Sequence, residues 1–176
     1  MRKLIFIALI SMVLGGCQGG GSTVREHDAA DRYRNLAGAQ LHLHQRLWVQ
    51  PERARVFIQG GEVGKAISDY RTQCSFEVDS IAHQGMSIEP GVFTITRVEA
   101  LMTEVVQLAR VQLASLDDGG GASAYFEGYH FWLDAPAQPQ LRRMSCYGVF
   151  AEPGDLRPPT LAEIAETLGA IATLKY

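Results

Sequence analysis

Apolar and polar residues alternate along the segment QLHLHQRLWVQP (residues 40–51). One side carries the apolar residues Leu41, Leu43, Leu47 and Val49, and the other carries His42, His44, Arg46, Trp48 and Gln50. Strict alternation indicates a strand with one face buried, and Pro51 is typical of a strand end. The pattern therefore predicts a half-buried strand from residue 40 to residue 50.

Other segments rich in β-branched and aromatic residues follow at regular spacing, separated by glycine and proline turns. They predict strands at residues 54–59, 72–81, 90–98, 124–134 and 141–150. With the first segment and the stretch that follows residue 98, this gives six to eight strands, mostly antiparallel.

The segment EALMTEVVQLARVQLASL (residues 99–116) fits two structures. Leu101, Val105 and Leu108 form a helical stripe, whereas Val105, Gln107 and Ala109 share one face of a strand. No turn or helix cap separates this segment from the strand before it. We therefore favour the strand and keep the helix as the alternative.

The clearest helix lies near the C-terminus, in PPTLAEIAETLGAIATL. Thr160 and Glu163 have the spacing of a capping box, and apolar residues follow at helical intervals. We expect a helix over about residues 160–173. The predicted fold is mainly β, an antiparallel β-sandwich or partly open barrel, with this amphipathic helix packed on it. Residues 39–176 form the single β-rich domain.

The chain begins with MRKLIFIALISMVLGGC, which has a positive start and an uncharged apolar run. That run is long enough for a signal peptide and too short for a permanent membrane span. The residues Leu14, Gly15, Gly16 and Cys17 resemble the lipobox of bacterial lipoproteins. The resemblance implies that residues 1–16 are a signal peptide and that Cys17 carries a covalent lipid, the only cofactor expected.

After Cys17 the chain is glycine-rich and then densely charged, so we expect residues 17–38 to be a lipidated flexible tether. Gln18 follows the cysteine. In enterobacterial lipoproteins, which the chain resembles here, Asp after the cysteine favours retention in the inner membrane. Gln18 in its place implies the periplasmic face of the outer membrane, with the inner membrane as the alternative. The stretch ARVFIQGG and the paired cysteines resemble small uncharacterised lipoproteins of Gram-negative bacteria, a likeness that implies no activity.

The formal net charge of −3 becomes −5 when Arg2 and Lys3 leave with the signal peptide. A mildly acidic chain has no general attraction for nucleic acid. Two cysteines remain, Cys74 and Cys146. Because an exported chain meets an oxidising compartment, this even pair predicts a disulfide, with a metal-binding or catalytic thiol as the alternative.

Candidate metal and catalytic residues are few. His42 and His44 point the same way on a strand, and with His83 or His130 they form a possible metal site, although Arg46 on the same side disfavours a cation. GxSxG, HExxH and phosphate-loop motifs are absent from the sequence. Glu77 and Asp79, a possible carboxylate pair, are interpreted as solvent-facing. We therefore expect no metal, no catalytic residue and no enzyme activity.

Several aromatic residues and the two histidines are candidates for a binding surface: His42, His44, Trp48, Tyr129 and Trp132. The competing interpretation is that the aromatic residues fill the core or lie under the helix. The sequence thus favours a membrane-anchored, non-catalytic binding or accessory module of the cell envelope with an envelope protein as partner. The alternatives are a small-ligand or metal-binding lipoprotein that uses His42 and His44, and a hydrolase.

Overall fold

The computed structural model describes residues 36–64, 68–105, 124–151 and 155–176. The predicted signal peptide, Cys17 and most of the tether lie outside these residues, as does the part of the ambiguous segment after Val105. Within the described residues, no helix has the length and apolar character needed to cross a bilayer.

Ten strands and one helix make up the described fold. The strands are β1 (Gln40–Leu43), β2 (Leu47–Val49), β3 (Arg55–Gln59), β4 (Glu62–Val63), β5 (Gln73–Val78), β6 (Met86–Ile88), β7 (Gly91–Val105), β8 (Ala124–Asp134), β9 (Leu141–Tyr147) and β10 (Ala172–Lys175). Eight of them form one sheet in the order β10-β1-β7-β8-β9-β5-β3-β4, and β2 pairs with β6 in a separate ribbon. All the pairings are antiparallel. The large sheet curls into a half-barrel, so the partly open barrel is the alternative that the structure adopts.

The core lies on one face of the half-barrel. The apolar side of the first alternating segment is buried as predicted, with Leu41, Leu43, Leu47 and Val49 at 3% exposure or less. Helix α1 (Leu161–Leu168) lies against β3, β5 and β10 and contributes Ile164 and Leu168 to the same core. Burial of these apolar surfaces is the main force that holds helix and sheet together.

The predicted capping box begins α1. The Thr160 hydroxyl accepts a hydrogen bond from the Glu163 backbone N–H, and the Glu163 carboxylate accepts one from the Thr160 backbone N–H at 2.8 Å. Two N–H groups that the first turn cannot pair internally are thereby satisfied.

The predicted disulfide is confirmed. Cys74 on β5 and Cys146 on β9 are directly opposed, with their Cα atoms 4.1 Å apart, and both side chains are fully buried on the core side. The bond therefore ties together two central strands of the sheet.

Several boundaries differ from the sequence predictions. Strand β5 ends at Val78 rather than at residue 81, β9 ends at Tyr147 rather than at residue 150, and β4, β6 and β10 were not predicted. The strand predicted over residues 40–50 divides into β1 and β2, because β1 pairs with β7 and β10 whereas β2 pairs with β6. The predicted helix ends at Leu168 rather than near residue 173, since Gly169 adopts a positive φ of 54°. The residues that follow form β10 at the sheet edge. The favoured strand at 99–116 is confirmed as far as Val105, and the rest of that segment lies outside the described residues.

Candidate functional site

Two rows of side chains cross the face of the sheet that is turned away from the core. Directly opposed residues of an antiparallel pair share a face, so the register defines each row. The tryptophan row is Arg55, Glu77, Arg143, Trp132 and Arg97, and the histidine row is Phe57, Ser75, Ser145, His130 and Glu99. We call this side of the sheet, on strands β3, β5, β9, β8 and β7, the polar face.

Irregularities in strand pairing lie on both sides of Trp132. In β7 the register jumps between Ile95 and Arg97, and in β9 it leaves Arg142 without an opposed residue. A β-bulge gives one strand an extra residue and re-aims the side chains beside it. The two bulges explain how Arg97 from β7 and both Arg142 and Arg143 from β9 reach the same indole.

Trp132 lies among three guanidinium groups. The Cζ atoms of Arg97, Arg142 and Arg143 are 4.3, 4.9 and 5.1 Å from the centre of its ring, within the range of cation–π attraction. The indole Nε1–H donates to Glu99 Oε2 at 2.7 Å, and Glu99 Oε1 lies 3.3 Å from Arg97 Nε. The ring and the guanidinium groups are therefore held in fixed relative positions.

Glu77 is a buried member of the tryptophan row, which corrects the expectation that it faces solvent. Its side chain is 8% exposed. Its Oε2 accepts a hydrogen bond from Arg143 Nε at 2.9 Å and lies 2.8 Å from Arg143 Nη2 in an ion pair. Arg55 Nη2 lies 4.0 Å away. A buried charge requires such partners, because desolvation would otherwise cost several kcal/mol.

A chain of hydrogen bonds leads from Glu77 to His130. Ser145 Oγ donates to Glu77 Oε1 at 2.7 Å, and His130 Nδ1 lies 2.7 Å from the same Oγ. Because the Ser145 hydroxyl donates its only hydrogen to the carboxylate, its oxygen must accept a hydrogen bond from His130 Nδ1–H. The geometry thus selects the Nδ1–H tautomer of His130 and leaves Nε2 with its lone pair.

Electrostatics keep Glu77 charged and His130 neutral. Burial alone raises the pKa of Glu77, but the hydrogen bonds from Ser145 and Arg143 outweigh it, so the pKa lies below its ordinary value. Burial lowers the pKa of His130, and the Arg143 cation adds to this, while the Glu77 and Glu99 carboxylates act in the opposite direction. Both shifts agree with the proton positions inferred from the hydrogen bonds.

One end of the polar face is closed by aromatic residues. Phe126 lies edge-on to Tyr147, with ring centres 6.3 Å apart, and 5.6 Å from Phe150. Tyr70 in turn packs edge-on against Phe150. Gly128 lies in β8 opposite Tyr147 of β9, and a Cβ on it would be 2.2 Å from the Cys146 carbonyl oxygen, so only glycine fits. The histidine row and the tryptophan row cross β8 further along the strand, at His130 and Trp132.

The structure does not bring the sequence-predicted surface residues together as one site. His42 and His44 lie near the sheet edge and hydrogen-bond through Nε2 to Gln40 at 3.1 Å and to Thr173 at 2.9 Å. Trp48 is 52% exposed on the β2–β6 ribbon, against Gly85. Tyr129 is 1% exposed and packs in the core, so its expected place on a surface is wrong. Trp132 alone of the five belongs to the polar face.

The possible metal ligands also lie apart. His83 bonds to Glu52 in an exposed pair and His130 bonds to Ser145, so each histidine has its own partner. Among the described residues, no three His, Cys, Asp or Glu side chains are grouped so as to hold a metal ion.

Most residues of the polar face escaped the sequence interpretation because they come from five strands. Glu77, Ser145 and His130 each occupy an ordinary polar position in an alternating strand. The one local signal was the pair Arg142 and Arg143, since two adjacent charged residues break strand alternation and are typical of a bulge.

The arrangement is suited to binding. Ser145 is fully buried, and its hydroxyl is engaged by both Glu77 and His130, so it is not available to attack a substrate. In contrast, Arg97 and Glu99 are about half exposed, at 57% and 44% of their side chains, beside the partly buried Trp132. Tryptophan and arginine on a rigid surface are the residue types that dominate binding energy at interfaces.

Comparison of this chain with protein-family models, with curated proteins and with solved structures found no match in any of the three.

Proposed function

We propose that this chain is a lipid-anchored protein of the bacterial envelope whose polar face binds another envelope protein, without catalysing a reaction. The lipid on Cys17 holds it at the periplasmic side of the outer membrane, and the tether gives the β domain reach. The observation that carries the binding role is the cluster of Trp132 with Arg97, Arg142 and Arg143.

The stacked cluster supports binding because its side chains are ordered before a partner arrives. Long arginine side chains lose considerable rotamer entropy when a contact immobilises them, about 0.5–1.5 kcal/mol each. Here the indole and the carboxylates of Glu77 and Glu99 already restrain Arg143 and Arg97. Binding through this cluster therefore costs less entropy than binding through free surface arginines.

In-cell photo-crosslinking from position 96 tests the proposal. Thr96 is exposed, lies in the β7 bulge next to Arg97, and has its hydroxyl 3.3 Å from the Trp132 carbonyl oxygen. A photoreactive phenylalanine analogue at this position should give one dominant adduct with an envelope protein, identified by mass spectrometry.

Two further positions serve as controls. Ile81 is 59% exposed in the loop after β5, outside both rows, and should give no specific adduct. Trp48 tests the competing exposed surface on the β2–β6 ribbon. A dominant adduct from position 48 with none from position 96 would reject the polar face as the binding site, and no specific adduct from either position would reject the binding role.

A further inference from the structure

The tryptophan row and its surroundings are positively charged on an acidic chain. The cations are Arg55, Arg97, Arg142 and Arg143, and the carboxylates in contact with them are Glu77, Glu99 and Asp79. The cluster therefore has a surplus of one positive charge, whereas the whole sequence has a formal net charge of −3. This local reversal of sign favours a negatively charged ligand.

Two arginines that contact Trp132, Arg97 and Arg142, have N–H donors that no hydrogen bond within the described residues uses. Arg97 contacts Glu99 through Nε, and Arg142 approaches Asp79 through Nε at 3.8 Å. Within the part of the chain that the structure describes, the Nη groups of these two arginines donate no hydrogen bond. Their side chains are 57% and 47% exposed, so the donors are accessible to a ligand.

The spacing of these donors matches an extended peptide. Arg97 on β7 and Arg142 on β9 are separated by β8, and two strand spacings amount to roughly 10 Å. A chain in the extended polyproline-II conformation has three residues per turn and rises about 3.1 Å per residue, so side chains three residues apart lie on one side and are separated by roughly 9 Å. Arginine forks also match carboxylates well, because they can donate two parallel hydrogen bonds.

Resting on the binding function proposed above, we propose that the polar face recognises an acidic, extended segment of the partner protein. Two carboxylates about three residues apart bind the Nη groups of Arg97 and Arg142, on either side of Trp132. The partner backbone between them crosses the indole. Protein rather than membrane is the favoured ligand because tryptophan and arginine together are typical of protein interfaces.

The first test repeats the crosslinking from position 96 in an R97Q/R142Q background. Both residues are exposed, so the fold should survive, as an unchanged melting temperature would verify. The adduct yield should fall at least tenfold. The matched control, R53Q/R71Q, removes two exposed arginines outside the row and should leave the yield unchanged. An undiminished adduct in R97Q/R142Q would overturn the acidic-segment proposal while leaving the binding function intact.

The second test uses the full-length lipidated protein in a neutral detergent. Trp48 is replaced by phenylalanine so that Trp132 becomes the only tryptophan, because the sequence has two. A synthetic peptide with Glu at every third position and Ser between should change the Trp132 fluorescence saturably. The corresponding Gln peptide should not, and R97Q/R142Q should weaken binding at least tenfold.

The remaining outcomes also decide the question. Equal binding of the Glu and Gln peptides, or no binding of the Glu peptide, would contradict the proposal. If phosphatidylglycerol vesicles change the fluorescence and the Glu peptide does not, the ligand is an anionic lipid surface and the acidic-segment proposal is wrong.

Discussion

The carboxylate of Glu77 and the guanidinium of Arg143 face each other across strands β5 and β9, with both Nε and Nη2 of Arg143 within 2.9 Å of one Glu77 oxygen. The second Glu77 oxygen accepts the Ser145 hydroxyl, which links the ion pair to His130. This pair therefore joins the tryptophan row to the histidine row and fixes the geometry of both.

The first prediction concerns that pair. E77Q keeps the side-chain shape but leaves Arg143 without its counter-charge, so we expect a loss of about 2–3 kcal/mol in the free energy of unfolding. Urea denaturation at pH 7 measures it. E52Q removes the carboxylate of an exposed pair with His83 and should cost less than about 0.5 kcal/mol. Equal losses in the two variants would contradict the structural role of Glu77.

The second prediction concerns the proton on His130. Nitrogen-15 NMR of the imidazole above pH 7 should show Nδ1 protonated and Nε2 unprotonated, because Ser145 accepts from Nδ1. In S145A this acceptor is lost, so a substantial Nε2–H population should appear for His130 while the spectra of His42 and His83 stay unchanged. A predominant Nε2–H form in the unaltered protein would show that the hydrogen-bond chain runs differently.

The third prediction concerns the disulfide. Cys74 and Cys146 are 72 residues apart in sequence, so the bond restricts a long loop in the unfolded chain. In the chain-entropy model its removal costs roughly 4 kcal/mol. Urea denaturation should show this loss in C74A/C146A relative to the unaltered protein. It should also show it when the unaltered protein is measured with and without reductant. Labelling of both thiols in unfolded, non-reduced protein would contradict the bond.

The fourth prediction concerns the cap of helix α1. Hydrogen bonds from Arg157 and from the Thr160 backbone lower the pKa of Glu163 to about 2, against an ordinary value of 4.5, despite the opposing effect of burial. A carboxyl group with a lowered pKa stabilises the fold fully above its unfolded pKa, and this stability is lost as the pH falls from about 4.5 toward 2. E163A should therefore cost about 1 kcal/mol at pH 7 and almost nothing at pH 2.

Glu166 provides the matched control for this measurement, since it is exposed on the same helix and outside the capping box. E166A should change stability little at either pH. A loss for E163A that stays constant between pH 7 and pH 2 would argue against the ionised cap.

The fifth prediction concerns Cys17. C17A should abolish incorporation of labelled palmitate and release the protein from the membrane fraction, because the proposed anchor is a lipid on this thiol. C74A/C146A serves as the control, since it removes the other two cysteines and should leave lipid incorporation unchanged. Membrane association that persists in C17A would contradict the anchor.

Much of the fold was predictable from local patterns. Side chains alternate across a strand with a period of two, so the buried set Leu41, Leu43, Leu47 and Val49 could be identified before any pairing was known. The capping box is equally local, because Thr160 and Glu163 are three residues apart. The cysteine pair needed no geometry either, since an even number of thiols in a chain expected to be exported already favours a disulfide.

The site was not predictable in this way. Glu77, Ser145 and His130 look like solvent-facing residues of separate strands, and they become a buried hydrogen-bonded chain only when β5, β9 and β8 are in register. Tyr129 shows the converse, since an aromatic residue suited to a surface is enclosed when the sheet curls around the core.

The sequence by itself determined the strand segments, the start of α1, the disulfide pair and the expectation of a lipid anchor, because each depends on neighbouring residues or on residue type. The tertiary structure decided the β10 edge strand, the division of the first strand, and the cluster around Trp132. These depend on pairing between distant segments, which is set by packing of the whole core and by two bulges that shift the register.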